Sequence, residues 1–174
     1  MTQKTMKTTL LMAITADGKI AKNTSHLANW TSGADKKMFV EKTKSAGVII
    51  MGLTTYQTIG KPLPGRLNIV LTPEPEKETP IPGSLEYTSQ APEEILKNLK
   101  TRGYKEAIIG GGATINGLFL KNNLIDEIWL TVEPKIFGEG LNLFRGVDMD
   151  LNLELIDVIK LDVNVVQLKY KVVK

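Results

Sequence analysis

Apolar residues fall into short β-branched runs, separated by stretches with helical spacing and by glycine, proline and asparagine turns. That alternation predicts an α/β sheet layered with helices. Residues 9–15 read as a buried first strand, followed by an Asp17-Gly18 turn and a polar, small-residue loop over 22–33. Long loops in compact domains are often functional. Ser32, three residues before Asp35, predicts an N-cap for a helix over 34–45 with Met38 and Phe39 on its buried side. Residues 47–51 form a fully buried strand, and the glycine-bounded segment 52–60 one or two helical turns.

Residues 61–66, with Pro62 and Pro64, cannot be regular structure; 67–71 is a strand, and Pro73, Pro75, Pro80 and Pro82 break the connection after it. A strand near 85–87 precedes a helix that opens at Pro92, presents Ile95, Leu96 and Leu99, and ends by Gly103. Residues 105–109 form a strand, Gly110-Gly111-Gly112 a turn, and 113–121 a helix carrying Ile115, Leu118 and Phe119. A strand at 126–132 leads to two alternating segments, 151–161 and 165–173, which the turn at Asp162-Val163-Asn164 makes an antiparallel hairpin. The expected fold is a central mixed sheet of about eight strands with about four flanking helices, in a single domain over 1–174.

Composition narrows the function classes. The 22 Lys and Arg against 19 Asp and Glu give a net charge of +3, spread along the chain, which argues against a dedicated nucleic-acid or anionic-membrane binder. With no cysteine and one histidine, disulfides, thiolate metal sites and a cysteine nucleophile are excluded, and no metal site is expected. Met1 to Lys7 is polar and the apolar run 8–14 is too short for a signal-peptide core, so a cytoplasmic protein is expected. No protein partner is evident. His26 reads as exposed, Trp129 as core, and Asp148-Met149-Asp150 as solvated.

The triple glycine turns a strand into a helix, exposing backbone N–H groups and the positive end of the helix dipole to a phosphate. The same glycines also allow close packing of strand on helix. Gly52, followed by Thr54 and Thr55, makes a similar strand-to-helix point, and two such points suit a dinucleotide in the sheet's crevice. Asp35 has two readings, a helix cap or a functional carboxylate between Trp30 and Phe39. Thr131 reads as a strand former, and Arg66 as a solvated loop cation.

Taken in order, these segments resemble dihydrofolate reductase from Leu11 to Val173. The resemblance rests on Met12-Ala13-Ile14 with 17–20, on Trp30 to Asp35 with Phe39 and Thr43, and on 48–52 with 55–71. Ile108-Ile109-Gly110-Gly111-Gly112 and Ile128-Trp129-Leu130-Thr131 complete it. It implies the three-layer fold of that family and hydride transfer from NADPH to dihydrofolate, with Asp35, Trp30 and Thr131 catalytic. A pterin offers an amidine-like edge that a buried carboxylate can bind through paired hydrogen bonds.

By the same resemblance Leu11, Met12, Ala13, Lys36, Phe39, Ile59, Leu63, Ile109 and Ile115 would meet substrate, and Arg66 would pair with its glutamate tail. Ala13, Ile20, Gly52, Leu53, Thr54, Thr55, Leu71, Thr72, Ile109, Gly110, Gly111, Gly112, Ala113, Thr114 and Ile115 would hold the cofactor.

Leu53 stands where many members carry an arginine for the cofactor's 2′-phosphate, which admits NADH beside NADPH unless Lys22, Lys77 or Thr72 substitutes. Lys36 replaces a usual apolar residue. The loop between Ile20 and Trp30 is longer than in a common bacterial form. Residues 16–21 and 134–140 also resemble the reductase domain of riboflavin biosynthesis, whose substrate is a ribosylamino-pyrimidine phosphate. A non-catalytic nucleotide-binding relative is the remaining alternative.

Overall fold

The computed structural model describes residues 6–174; residues 1–5 of the polar N-terminal stretch lie outside them. In chain order the elements are β1 (Lys7–Thr15), β2 (Lys19–Ala21), α1 (Gly33–Ala46), β3 (Val48–Gly52), α2 (Leu53–Ile59) and β4 (Leu67–Leu71). There follow a 3-10 turn (Pro75–Lys77), β5 (Leu85–Thr88), α3 (Pro92–Thr101), β6 (Glu106–Ile109) and α4 (Ala113–Lys121). The chain ends with β7 (Glu127–Glu133), β8 (Leu141–Asn142), β9 (Leu153–Asp162) and β10 (Val165–Val172).

Eight strands form one sheet in the order β5-β4-β3-β6-β1-β7-β10-β9. The first six run parallel, β10 runs antiparallel to β7, and β9 pairs antiparallel with β10 as the C-terminal hairpin. The expected mixed sheet, hairpin and four helices are all present. A second, two-stranded sheet of β2 and β8 was not foreseen. Each of its strands is too short, at 3 and 2 residues, to show alternation.

The central strands read as continuous apolar runs because helices cover both faces. On one face α1 and α2 bring Met38, Phe39, Leu53, Tyr56 and Ile59 against Leu11, Ile49, Met51 and Ile108. On the other, α3 and α4 bring Ile95, Leu99 and Phe119 against Leu10, Ile50 and Ile109. Leu10, Ile50, Ile108 and Ile109 are fully excluded from solvent, each contributing about 1.5–3 kcal/mol of burial free energy.

Local chemistry fixes the ends of α1. The Ser32 hydroxyl accepts the Asp35 N–H at 3.1 Å, and Gly47 ends the helix in the left-handed region (φ 78°), its N–H returning to Thr43 and Lys44 carbonyls. The helix thereby starts with Asp35 in its first turn, with Phe39 and Thr43 one and two turns further along the same side.

Candidate active site

Asp35 is buried, 7% exposed, and faces β7, whose residues two apart share a side of the sheet. That side carries Trp129, Thr131 and Glu133, and by register Leu11 and Ala13 of β1 stand beside Trp129 and Thr131. Burial pushes the Asp35 carboxyl above its usual range; the nearby Thr131 and Thr31 hydroxyls and Lys36 act against that shift, while the charge of Glu133 adds to it. The Thr131 hydroxyl is itself buried and completes no hydrogen bond among the described residues. The cap of α1 is the Ser32 side chain and not that of Asp35.

Sequence reasoning did not single out Glu133. It is 2% exposed, and its Oε1 accepts the Ser32 N–H at 2.9 Å and the Ser32 hydroxyl at 2.8 Å. The period-2 relation to Thr131 was the available signal.

Above this carboxylate the loop over 22–33 folds into an aromatic cluster. Trp30 stacks with His26 (6.4 Å between centroids) and meets Phe137 edge-on at 5.1 Å. His26 is thus half-buried, correcting the exposed reading; its Nδ1 accepts the Lys22 N–H at 3.1 Å. The Lys22 ammonium sits 5.4 Å from the Phe137 ring. Asp17 ties the 134–140 turn to β1: its carboxylate accepts N–H groups from Phe137 and Gly138 at 3.2 and 2.7 Å. The Thr15 hydroxyl and these amides hold its carboxyl below the usual range.

Arg66 is not a solvated loop cation. It is 6% exposed; its Nη1 donates to the Val40 carbonyl at 3.1 Å and to the Thr43 hydroxyl, and Nε is buried with no hydrogen-bond partner among the described residues. The guanidinium is held on α1 with its Nε edge uncommitted. Trp129 is half-buried between two cations, the ammoniums of Lys42 and Lys169 at 4.5 and 4.0 Å from its ring. Lys36 is exposed and donates to the Asn29 carbonyl at 3.1 Å. Phe39, Ile59 and Leu63 are half-buried on the α1 side. Met12, Ile109 and Ile115 belong to the α4 side, Met12 reaching back over Gly111.

A second feature lies at the carboxyl ends of β3 and β6. The Gly52 N–H donates to the Gly111 carbonyl at 2.9 Å, bringing the starts of α2 and α4 together. Neither Gly52 nor Gly112 provides a side-chain cap, so the first-turn N–H groups of α4 are available to an anion. A Cβ on Gly112 would lie 3.1 Å from Thr55 Oγ1, and one on Gly110 only 2.7 Å from Ile49 Cδ1. These glycines admit close packing of β3 and α2 against the turn that opens α4. Thr54 is exposed and Ala113 and Thr55 half-buried at its edge; Ile20 is half-buried, Leu71 and Thr72 buried.

Leu53 packs against the core on the α1 side, as do Tyr56 and Tyr87, which meet edge-on at 6.0 Å. Burial and the neighbouring Tyr56 push the Tyr87 phenol up to about 12, so it stays neutral. The substitutes considered for a 2′-phosphate are engaged elsewhere: Lys77 pairs with Glu74 at 2.5 Å, the Thr72 hydroxyl accepts the Glu74 N–H, and Lys22 lies over Phe137.

The family match and the relatives point to an oxidoreductase of the kind that includes dihydrofolate reductase and the riboflavin-biosynthesis proteins. Residues 7–140 match the family model described as dihydrofolate reductase. The chain belongs to the dihydrofolate reductase family.

A Caenorhabditis elegans protein named "Putative dihydrofolate reductase" is 29% identical over 170 residues, 90% of this chain and 82% of that one. Among solved structures, the dihydrofolate reductase of Enterococcus faecalis complexed with NADP(H) and RAB-propyl superposes with a TM-score of 0.73 at 24% identity, covering 97% of each chain. The Thermotoga maritima diaminohydroxyphosphoribosylaminopyrimidine deaminase/5-amino-6-(5-phosphoribosylamino)uracil reductase superposes with a TM-score of 0.79 at 21% identity, over 98% of this chain and 57% of that one. No helix among the described residues is long and apolar enough to cross a membrane.

Proposed function

We propose that this chain, acting as a single domain in the cytoplasm, is a dihydrofolate reductase that converts dihydrofolate to tetrahydrofolate with a reduced nicotinamide dinucleotide. The observation that carries this reading is the buried Asp35 with its raised pKa beside the unpartnered Thr131 hydroxyl. Such a carboxylate can accept two hydrogen bonds from the amidine-like edge of a pterin, and Thr131 gains a partner in the same step. Asp35 then orients the ring and, with its carboxyl raised above the usual range by burial, assists protonation beside Trp30. When bound, the nicotinamide supplies the hydride.

The residues fit such a cofactor, because the uncapped start of α4 offers N–H donors just beyond β6, while the Gly52 and Gly110 N–H groups are spent on the Gly111 and Ile50 carbonyls. Gly110 to Thr114, with the Thr54 and Thr55 hydroxyls, would hold its phosphates. Phe39, Ile59 and Leu63 would shield the substrate's rings from water, and the Arg66 guanidinium would take its tail carboxylate. NADPH is the expected donor, with NADH accepted because Leu53 offers no charge.

A second reading, reduction of a ribosylamino-pyrimidine phosphate, is favoured by one feature. Asp17 binds the 134–140 turn, joining the two stretches that resemble the riboflavin-biosynthesis reductases. The deciding experiment is NADPH oxidation by the purified chain with each substrate. Turnover of dihydrofolate blocked by methotrexate supports the first reading. Turnover of the pyrimidine phosphate alone transfers the function to the second, and NADPH binding without either turnover leaves a nucleotide-binding relative.

A further inference from the structure

The outer part of the sheet leaves a broad apolar face in water. Residues facing the α4 side line up across strands by register: Leu10, Ile128, Tyr170 and Leu155 in one row, Met12, Leu130, Leu168 and Val158 in the next. Exposure climbs along these rows, from Leu10 at 0% and Ile128 at 3% to Leu155 and Val158 at 53%. Among the described residues no helix covers β10 and β9 on this side, because α4 packs over the middle of the sheet. At the start of β9 the face continues into an apolar groove of about 250 Å³, lined by Phe144, Val147, Met149, Leu151 and Leu153 among others.

Met149, Leu151, Leu153, Leu155, Ile156 and Val158 are all exposed, and together leave on the order of 500 Å² of side chain in water, near the upper end for the largest apolar patch on a monomer.

We propose that this face is the interface of a homodimer, formed when the β9–β10 face of one copy packs on the same face of a second about a two-fold axis near the middle of β9. The area fits: two such faces bury about 1,000 Å² from the six residues alone, the level at which a stable interface begins. The half-buried Leu130, Leu168, Tyr170 and Phe144 around them extend it.

The charge pattern is self-complementary. The two central rows hold no charged residue, Lys160 follows Val158 in the row beyond, opposite Val166, and Asp148 and Asp150 precede the other end of β9. A two-fold rotation carries each copy's Lys160 towards the partner's acidic end. The same Asp148 and Asp150 would repel an anionic lipid surface.

Edge-to-edge continuation of the sheet is disfavoured. The pairing of β9 with β10 is irregular at Ile156, and Asp157 Oδ1 accepts the Val158 N–H at 2.9 Å. Both devices blunt an edge strand, so the apolar face and not the strand edge forms the contact.

Sedimentation of the full chain at micromolar concentration should give twice the chain mass. Leu155→Glu combined with Val158→Glu should weaken self-association at least ~100-fold, because like charges facing each other at the centre of an apolar interface repel and lose its burial, with an unchanged circular dichroism spectrum. Lys160→Glu should weaken it about tenfold, and adding Asp148→Lys and Asp150→Lys should restore it; this arm still decides if the first variant fails to fold. A monomeric chain, a dimer indifferent to both sets of changes, or a monomer that binds phosphatidylcholine vesicles through this face would overturn the proposal.

Discussion

The carboxylate of Glu133 holds Ser32 by both its backbone N–H and its hydroxyl, at 2.9 and 2.8 Å. Ser32 in turn accepts the Asp35 N–H at 3.1 Å, so one buried acid fixes the start of the helix that carries the other. Its charge also raises the Asp35 pKa.

Glu133→Gln keeps an acceptor for Ser32 but removes that charge. With less repulsion Asp35 gives up its proton at lower pH. If protonated Asp35 assists the reaction, activity falls as pH rises through its pKa, and the variant's alkaline limb should move to lower pH. A pH profile of dihydrofolate reduction measures this; an unmoved limb would dissociate Glu133 from the chemistry.

Asp35→Asn should separate activity from stability. Loss of the carboxylate should cost on the order of 10²–10⁴-fold in rate near neutral pH. The folded pKa lies above the unfolded value of 3.8, so the folded state binds the proton more tightly. The group's favourable contribution is complete below 3.8 and is lost as pH rises through the folded pKa. At pH 8 the buried charge opposes folding, and asparagine relieves it. A gain on the order of 1 kcal/mol corresponds to roughly 2–4 °C in Tm for a domain of this size. Thermal melts should show the gain at pH 8 and its shrinkage towards pH 4.

The fold was legible where periodicity is long. The boundaries of α4 were read directly from the sequence, and those of α1 to within one residue at each end, because caps and glycines mark their ends. β2 and β8 escaped because a strand of three residues has no pattern of its own; only pairing across the fold makes it one.

The site was legible as residue types more than as environments. Asp35 and Thr131 were singled out, but Arg66, read as solvated, is buried, and His26, read as exposed, is half-buried. Both sit in loops whose polarity predicts exposure, while their burial comes from contacts distant in sequence: Val40 and Thr43 for Arg66, Phe137 for His26. Glu133 was overlooked because a charged residue at a strand end ordinarily faces water.

Cofactor choice should respond to Leu53. Its side chain offers no charge, and Lys77 is already paired with Glu74. Fluorescence titration should therefore show less than about tenfold preference for NADPH over NADH, and Leu53→Arg should raise that preference by about tenfold or more, as expected for a new charge-assisted contact to phosphate. A strong preference in the unaltered chain would mean that another cation reaches the 2′-phosphate.

Arg66 gives the sharpest division between substrate and cofactor. Its Nη1 donors are spent on Val40 and Thr43, while Nε is buried with no hydrogen-bond partner among the described residues, and burial lowers the pKa of the guanidinium without bringing it near neutrality. Such a cation gains most when a carboxylate docks on it. Arg66→Ala removes the guanidinium and leaves the Val40 carbonyl and Thr43 hydroxyl without their donor, costing about 1–3 kcal/mol of stability. Dihydrofolate affinity should fall by about tenfold or more, an interaction of at least 1.4 kcal/mol, while NADPH affinity stays within about twofold because the turn at Gly110 to Gly112 is built from other elements. Equal losses for both ligands would mean that Arg66 acts only by supporting α1. Lost dihydrofolate affinity with unchanged cofactor affinity would place the tail carboxylate on this guanidinium.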